Sequence, residues 1–300
     1  MFIQFFGSYL LSKGAVSAEQ LIDAIEKESS AYVHPGALAM HAGMMSSEQI
    51  EDVRIAQTHN DKNFEELCVE KGYLTKEQVD ELLASQYPRY LSLGQILVEN
   101  GVFDESAFHE LLASYIAENQ IKEKHLPGEN GETIHSMLEK YCAHIESPDK
   151  AYHLEYLNLF LNNLVRFIGD DFTLLRPVTD VSSYTAGKYA SQHTTGIYDL
   201  TSVLDMSEDT AIAFAGRYVS EQFDEFDEIV QASIEDFLNL HNGLFHVNMS
   251  NSYAIELGLE PPTFGSDHML NISDSTYIFP VLFPFGVVNI LLQEPLPRTL

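Results

Sequence analysis

A glycine recurs every 29 residues through the first part of the chain, and this spacing limits the possible fold more than any other feature. The glycines are Gly14, Gly43, Gly72 and Gly101. Each follows a short apolar segment, such as the ALAMHA that precedes Gly43. A fixed period of this length is typical of repeated units that bury their apolar faces against one another. Each apolar segment is predicted to be a helix that ends at its glycine, because glycine readily takes the left-handed conformation of a helix cap.

A helix-start motif follows each of these glycines. The predicted N-cap residues are Ser17, Ser46, Thr75 and Asp104. In the first three units a glutamine stands three positions later, which completes a capping box. These glutamines are Gln20, Gln49 and Gln78. A second, amphipathic helix follows in each unit, as in EQLIDAIEKE. Residues 1–118 are therefore predicted to form an all-α domain of four helical hairpins.

The length of 300 residues suggests two domains. A Pro-Gly-Glu-Asn-Gly turn cluster and a later Ser-Pro-Asp mark the break between them. We predict a junction at residues 119–150, with one short helix at about Thr133 to His144. The second domain is predicted at residues 151–300.

The charge balance is strongly acidic, with 16 basic and 45 acidic side chains and a net charge of −29. This charge excludes nucleic acid and anionic membrane as favourable partners. The two cysteines, Cys68 and Cys142, are too few for a disulfide framework and indicate a reducing compartment. The first residues lack the basic region of a signal peptide, and no segment has the roughly 20 apolar residues of a membrane span. We expect a cytoplasmic protein without membrane insertion.

The second half alternates helical and extended patterns. A helix is predicted at Leu154–Ile168, and Ser207 is the predicted N-cap of a helix between two groups of strands. The predicted strands are Phe172–Val181, Tyr184–His193, Ile197–Met206, Tyr277–Phe283 and Val287–Gln293. Residues 257–263 are predicted to lead through a turn. This order predicts an α+β domain in which paired helices cover one face of an antiparallel sheet.

A long amphipathic helix is predicted at Gln222–Ser250. Its apolar side comprises Phe226, Val230, Ile234, Phe237, His241 and Leu244. Its opposite side carries the carboxylates of Glu235 and Asp236 and the carboxamide of Asn239. Ala232 and Gly243 lie a turn to either side and are small, so a partner could approach this face closely. The polar face is therefore the candidate site.

From about residue 152 to residue 295 the chain resembles the CheX/CheC family of chemotaxis phosphatases, and CheX more closely. The features that carry the resemblance occur in one order. They are the opening helix, a glycine-punctuated strand pair, the MSEDTAIAFA helix entry, the acid-x-x-Asn pattern of Asp236 to Asn239 followed by Gly243, the Leu-Glu-Pro-Pro of residues 259–262, and a final hairpin. The resemblance implies a CheX-like α+β fold.

The family dephosphorylates the phospho-aspartate of a response-regulator receiver domain such as CheY. The resemblance implies that Asn239 orients the attacking water and that Asp236 pairs with the active-site lysine of the receiver. It also implies that the receiver supplies Mg²⁺, so that this chain needs no cofactor or metal of its own. A homodimer is a further implication of the resemblance to CheX.

The aligned acid is glutamate in most of the family, whereas Asp236 is one methylene shorter. Glu235 stands beside it and also lies on the polar face, so either acid is a candidate for docking the lysine. The shorter acid leaves open a second reading, in which the chain is a non-catalytic adaptor that binds a receiver or a secretion or pilus partner.

The repeat unit of the first half resembles the N-terminal domain of type II secretion and type IV pilus ATPases. The last copy, LSLGQILVENGVF, is the most similar. Some such domains bind cyclic di-GMP through an arginine that precedes the Leu-Gly pair. Here Ser92 occupies that position, and the other units have no arginine there either. We therefore favour docking or dimer contacts over nucleotide sensing for these repeats.

Other chemistry finds no support in the sequence. The chain lacks a Walker loop, a dinucleotide-binding fingerprint, a nucleophile elbow and a zinc-binding motif. His241 and His246 occur on the same predicted helix. Because His241 lies on the apolar side, we expect it to be packed rather than to bind a metal.

Overall fold

The computed structural model describes residues 2–27, 35–57, 64–84, 89–119, 121, 129–266 and 270–295. The chain divides into two compact units, Met1–Met137 and Leu138–Leu300. The division falls within the segment that was predicted as the junction. Each unit is described separately below.

The described residues up to position 141 are mainly helical. The helices are α1 (Phe2–Ser12), α2 (Ala18–Lys27), α3 (Pro35–His41), α4 (Ser47–Gln57), α5 (Phe64–Glu70), α6 (Lys76–Ala84), α7 (Arg89–Glu99), α8 (Glu105–Asn119) and α9 (Glu129–Tyr141). The short helix predicted at about Thr133 to His144 corresponds to α9. It begins earlier than predicted, because the last residues of the Pro-Gly-Glu-Asn-Gly cluster, which suggested a loop, are the first residues of this helix.

The local signals of the repeat produce the predicted geometry. The four repeat glycines have positive φ values between 55° and 74°. In the first capping box, Ser17 Oγ accepts a hydrogen bond from the Gln20 amide at 3.2 Å, and Gln20 Oε1 accepts one from the Ser17 amide at 2.9 Å. The same reciprocal pairs form at positions 46 and 49 and at positions 75 and 78. The three predicted capping boxes are therefore confirmed.

Helix α7 lies at the centre of the first unit, where it packs against α1, α2 and α8. Steric crowding explains why the Leu-Gly pair in α7 has a glycine at position 94. A Cβ atom added to Gly94 would lie 2.0 Å from Cε2 of the buried Phe108 ring, so glycine allows α7 and α8 to approach closely. Ser92, which precedes this Leu-Gly pair, is buried in the first unit.

The second unit combines α10 (Lys150–Phe167), α11 (Glu208–Val219) and α12 (Glu228–Tyr253) with an antiparallel sheet. The strands are β1 (Thr173–Leu174), β2 (Lys188–Thr195), β3 (Leu200–Met206), β4 (Gly258–Leu259), β5 (Thr263–Ser266), β6 (Thr276–Phe283) and β7 (Gly286–Gln293). In the described residues the strand order is β1-β6-β7-β3-β2-β4, and β5 also pairs with β2. All of these pairings are antiparallel.

Two strand predictions were too long or began too early. The strand predicted at Phe172–Val181 shrinks to β1 and one isolated bridge at Val178, because Pro177 has no amide hydrogen for a ladder. β2 begins after the predicted Tyr184, because the Gly187 amide donates to Asp205 Oδ1 at 2.7 Å instead of joining a strand.

The segment predicted as a turn at residues 257–263 contains β4 and the first residue of β5. Both strands pair with β2, and Pro261 and Pro262 separate them. Glu260 lies between them, and its amide donates to the His193 carbonyl at 3.0 Å. This segment therefore forms one edge of the sheet beside the helix that carries the candidate site.

The helices cover one face of the sheet. α12 packs against β2 and β3, α10 packs against α12, and α11 packs against both α12 and β7. On the opposite face a second core cluster forms from Ala186, Tyr189, Val203, Ile278 and Leu291. The predicted arrangement of paired helices on an antiparallel sheet agrees with this layer order.

Two further findings concern the whole described chain. Among the described helices, none has both the length and the apolar character that crossing a membrane requires. Cys68 and Cys142 are both buried free thiols, and burial raises the pKa of each to about 12.

Candidate functional site

Helix α12 begins later than the sequence pattern predicted. Its N-cap is Asp227, whose Oδ1 accepts hydrogen bonds from the amides of Ile229 at 3.0 Å and Val230 at 2.9 Å. The predicted start at Gln222 is therefore wrong, because a capping carboxylate at position 227 ends the preceding loop. Phe226 lies in that loop and packs against Phe264 instead of joining the apolar stripe of the helix.

The two sides of α12 otherwise follow the predicted pattern. Val230, Ile234, Phe237 and His241 are buried, and Leu244 is half-buried. On the other side Ala232, Asp236 and Asn239 are exposed, whereas Glu235 and Gly243 are half-buried. We call Ala232, Asp236, Asn239 and Gly243 the α12 face. The predicted candidate residues thus lie together on one rigid element.

No neighbouring atom in the described residues requires a glycine at position 243. A Cβ atom added there would meet nothing within 4 Å among the described atoms, and Gly243 lies in the middle of a helix. Glycine costs about 1 kcal/mol relative to alanine at such a position. Close approach of a partner to the α12 face would offset that cost.

The Asp236 carboxylate is held from the neighbouring helix. Tyr218 on α11 donates its hydroxyl hydrogen to Asp236 Oδ2 at 2.7 Å, and its ring stands edge-on to Phe237. Burial and the Asp236 carboxylate raise the pKa of Tyr218, so the phenol remains a donor. A carboxylate has several acceptor sites, so Asp236 can still receive a cationic group from a partner.

The Asn239 carboxamide is held from the sheet. Gln192 on β2 donates from Nε2 to Asn239 Oδ1 at 2.7 Å and to the Glu260 carbonyl at 2.8 Å. Gln192 Oε1 in turn accepts from Asn242 Nδ2 at 2.8 Å, and Asn242 Oδ1 accepts from the Tyr156 hydroxyl at 2.7 Å. A chain of buried polar groups therefore ends at the exposed Asn239.

The two candidate acids differ in exposure and in their contacts. It is exposed and oriented by Tyr218, while Glu235 is half-buried beside it. The sequence analysis did not identify Tyr218 or Gln192. Gln192 lies at an inward position of β2, where Ala190 and Thr194 on the same face are also buried, and no local sequence pattern links it to Asn239.

His241 is packed, as expected. Its side chain is fully buried, its Nδ1 accepts from Asn163 Nδ2 at 3.0 Å, and its ring stands edge-on to Tyr156 at 4.4 Å between centroids. Its Nε2 has no hydrogen-bond partner among the described groups. Burial lowers the pKa of His241 to about 3. His246 is half-buried and its Nε2 lies 3.1 Å from Thr194 Oγ1.

This pKa predicts a pH-dependent loss of stability that His241→Gln removes. Unfolding frees His241 to bind a proton below its ordinary pKa of about 6.5, whereas the folded state binds none until near pH 3. Titration of His241 therefore leaves the free energy of unfolding unchanged well above about pH 6.5. On acidification it lowers that free energy, by about 2 kcal/mol between about pH 7 and pH 5. We expect the stability difference between the parent chain and His241→Gln to shift by that amount, measured by hydrogen exchange of α12 amides. A difference that stays constant with pH contradicts this prediction.

The arrangement of the described side chains also bears on metal binding by this chain. Within the described ranges, no group of three or more His, Cys, Asp or Glu side chains is arranged to hold a metal ion. The α12 face itself offers one carboxylate and one carboxamide.

Solved structures of CheX-like and CheC-like proteins are similar to the C-terminal half of the chain. A CheC-like superfamily protein from Shewanella sp. PV-4 is 16% identical with a TM-score of 0.42, over 47% of this chain and 95% of its own. Chemotaxis protein CheX from Vibrio vulnificus is 13% identical with a TM-score of 0.42, over 48% of this chain and 98% of its own.

A chain of the CheX–CheY–BeF3–Mg²⁺ complex from Borrelia burgdorferi is 22% identical with a TM-score of 0.41, over 48% of this chain and 98% of its own. No protein-family model matches the sequence, and no curated protein matches it. The resemblance of the first half to secretion and pilus ATPases stays a prediction.

Proposed function

We propose that this chain is a cytoplasmic signalling protein that dephosphorylates the phospho-aspartate of a response-regulator receiver domain of the CheY type. Asn239 orients the attacking water, and Asp236 docks the lysine of the receiver. The observation that carries the proposal is the α12 face. There a carboxamide and a carboxylate stand three residues apart on a rigid helix, and each is oriented by a hydrogen bond from another element.

The arrangement suits hydrolysis of an acyl phosphate. The water oxygen forms a bond to phosphorus while the bond between phosphorus and the aspartyl oxygen breaks. The products are the free aspartate carboxylate and inorganic phosphate, which retains the protons of the water. Such a reaction needs in-line positioning and charge neutralisation rather than a protein nucleophile.

Asn239 can supply the positioning. A carboxamide has both a donor and an acceptor, so it can fix one water in two directions. Its Oδ1 accepts from Gln192 and keeps a second lone pair, while its Nδ2 remains available as a donor. Holding the water in line removes translational and rotational freedom before the reaction begins.

Asp236 can supply the docking contact. Its exposed carboxylate fits a lysine ammonium, and the net charge of −29 favours a partner with a basic surface around that lysine. Mg²⁺ would belong to the receiver and neutralise charge on the phosphoryl group. Homodimer formation stays a prediction from the resemblance to CheX.

A second function, binding of a receiver without hydrolysis, is favoured by the length of Asp236 and by its hydrogen bond with Tyr218. Asp236 is shorter than the glutamate of the resembled family, and Tyr218 already occupies one of its oxygens. A receiver docked on such an acid would sit closer to α12 or at a different angle, which could displace the phosphorus from Asn239. The chain would then act as an adaptor.

The decisive experiment measures the decay of a phosphorylated CheY-type receiver in Mg²⁺, with the receiver in excess over this chain. The proposal expects decay faster than that of the receiver alone and repeated turnover by each molecule of the chain. Unchanged decay, combined with binding of a receiver held in its active form by beryllium fluoride, would support the adaptor. Unchanged decay without binding would remove both functions.

The docking role of Asp236 predicts a change in affinity. Asp236→Ala is expected to raise the receiver concentration for half-maximal rate about tenfold, because the receiver lysine loses its charged partner. The matched control is Glu235→Ala, which should leave that concentration nearly unchanged. Initial rates over a range of phosphorylated receiver concentrations measure both. The opposite pattern would assign docking to Glu235.

A further inference from the structure

A buried glutamine connects the core of the second unit to the α12 face. Gln192 is 2% exposed, although its side chain is an amide. Both hydrogen-bonding ends of that amide are used. Nε2 donates to Asn239 Oδ1 and to the Glu260 carbonyl, and Oε1 accepts from Asn242 Nδ2. A polar group buried to this extent is costly unless it is fully paired, so its geometry is tightly determined.

The orientation of the Gln192 amide follows from its partners. A backbone carbonyl can only accept, so Nε2 and not Oε1 must face the Glu260 carbonyl. The same Nε2 reaches Asn239, which must therefore present its oxygen to Gln192. The Nδ2 group of Asn239 is consequently turned away from Gln192.

The inner end of the chain supports the same polarity. Asn242 Oδ1 accepts from the Tyr156 hydroxyl, and its Nδ2 donates to Gln192 Oε1 and to Ser202 Oγ at 2.9 Å. Gln192, Asn242 and Ser202 are all buried. The polarity of this network is thus consistent from Tyr156 to the surface.

We propose that Gln192 is a positioning residue that fixes the rotamer and the amide direction of Asn239, so that the partner meets a defined donor and acceptor. The role rests on the proposed phosphatase function. An exposed asparagine on a helix would otherwise sample several rotamers, and orienting it would cost free energy at each turnover. The edge segment at Glu260 has a part in this role, because its carbonyl determines the direction of the glutamine amide.

The first test uses the parent chain without substrate. Side-chain ¹⁵N relaxation should show an ordered Asn239 amide group and a mobile amide group at Asn248, which is also exposed on α12. Gln192→Met keeps the approximate size of the side chain and removes all three hydrogen bonds of the amide. In this variant the Asn239 amide should become as mobile as that of Asn248. Equal mobility of Asn239 and Asn248 in the parent chain would overturn the proposal, even if the variant failed to fold.

The second test measures hydrolysis of the phosphorylated receiver. Gln192→Met is expected to lower kcat about tenfold while the half-saturating receiver concentration stays the same, because docking through Asp236 is intact. The matched control is Thr194→Val, which changes a buried polar residue on the same strand face that contacts His246 instead. This control should keep both kinetic parameters.

The two tests separate the two proposals. If the parent chain does not accelerate decay and the Asn239 amide is ordered through Gln192, the phosphatase function fails and the positioning of Asn239 stands. If the parent chain is active and Gln192→Met loosens Asn239 without lowering kcat, the phosphatase stands and the catalytic relevance of Gln192 fails. An effect of Thr194→Val as large as that of Gln192→Met would also overturn the role, because it would indicate a general loss of core packing.

Discussion

Replacing Asn239 by alanine is expected to lower the rate at which this chain hydrolyses a phosphorylated receiver by on the order of 100-fold. The substitution removes the donor and the acceptor that would hold the attacking water, and nothing else on the α12 face combines both. Loss of the Asn239 side chain should also lower the stability of the unit by about 1 kcal/mol, because one N–H of the buried Gln192 amide then lacks its acceptor. The effect on the rate should appear in kcat and leave receiver binding nearly unchanged.

The measurement is the decay of a phosphorylated receiver at saturating concentration, with the parent chain, Asn239→Ala and Asn248→Ala. Asn248 is the matched control, since it is the same residue type and is also exposed on α12. The control should retain the parent rate. If Asn239→Ala hydrolyses the receiver as fast as the control does, Asn239 does not position the water and the phosphatase proposal loses its central residue.

The sequence predicted features that are determined over a few residues. The repeat glycines take positive φ, and the capping box at Ser17 and Gln20 forms, because both depend on hydrogen bonds within one turn of a helix. The faces of α12 were also predictable, because helical periodicity alone places Asp236 and Asn239 on the side opposite Phe237.

Two kinds of feature were missed: a helix start that a local cap determines, and elements that depend on distant residues. The start of α12 was predicted too early because the acidic loop before it has the composition of a solvated helix, and only the amide bonds to Asp227 mark the true start. The strands around Glu260 were missed because they are short and adjoin two prolines, and pairing with β2 is what makes them strands.

The support of the candidate site belongs to the features that depend on distant residues. Gln192 lies 47 positions from Asn239 in sequence, and Tyr218 lies 18 positions from Asp236. No local pattern links either pair. The sequence could therefore identify the two groups that would meet a partner, whereas the residues that orient them become visible only when the helices are packed on the sheet.

Replacing Phe237 by alanine is expected to destabilise the second unit by about 3–5 kcal/mol. Its side chain is fully buried, and its ring stands edge-on to Phe214 at 5.0 Å and to Tyr218 at 5.6 Å between centroids. Truncation would leave a cavity where α10, α11 and α12 meet. It would also loosen Tyr218, which orients Asp236.

Hydrogen exchange of α12 amides is the appropriate measurement, because a chain of two compact units need not unfold in one transition. Phe226→Ala is the matched control, since Phe226 lies in the loop before α12 and should cost much less. Equal loss of protection in the two variants would contradict the packing described for Phe237. Phe237→Ala should lose hydrolysis together with most of its α12 protection, whereas Asn239→Ala should lose hydrolysis with only a small loss of protection. That contrast separates the helix as a support from the carboxamide as the group that acts on the water.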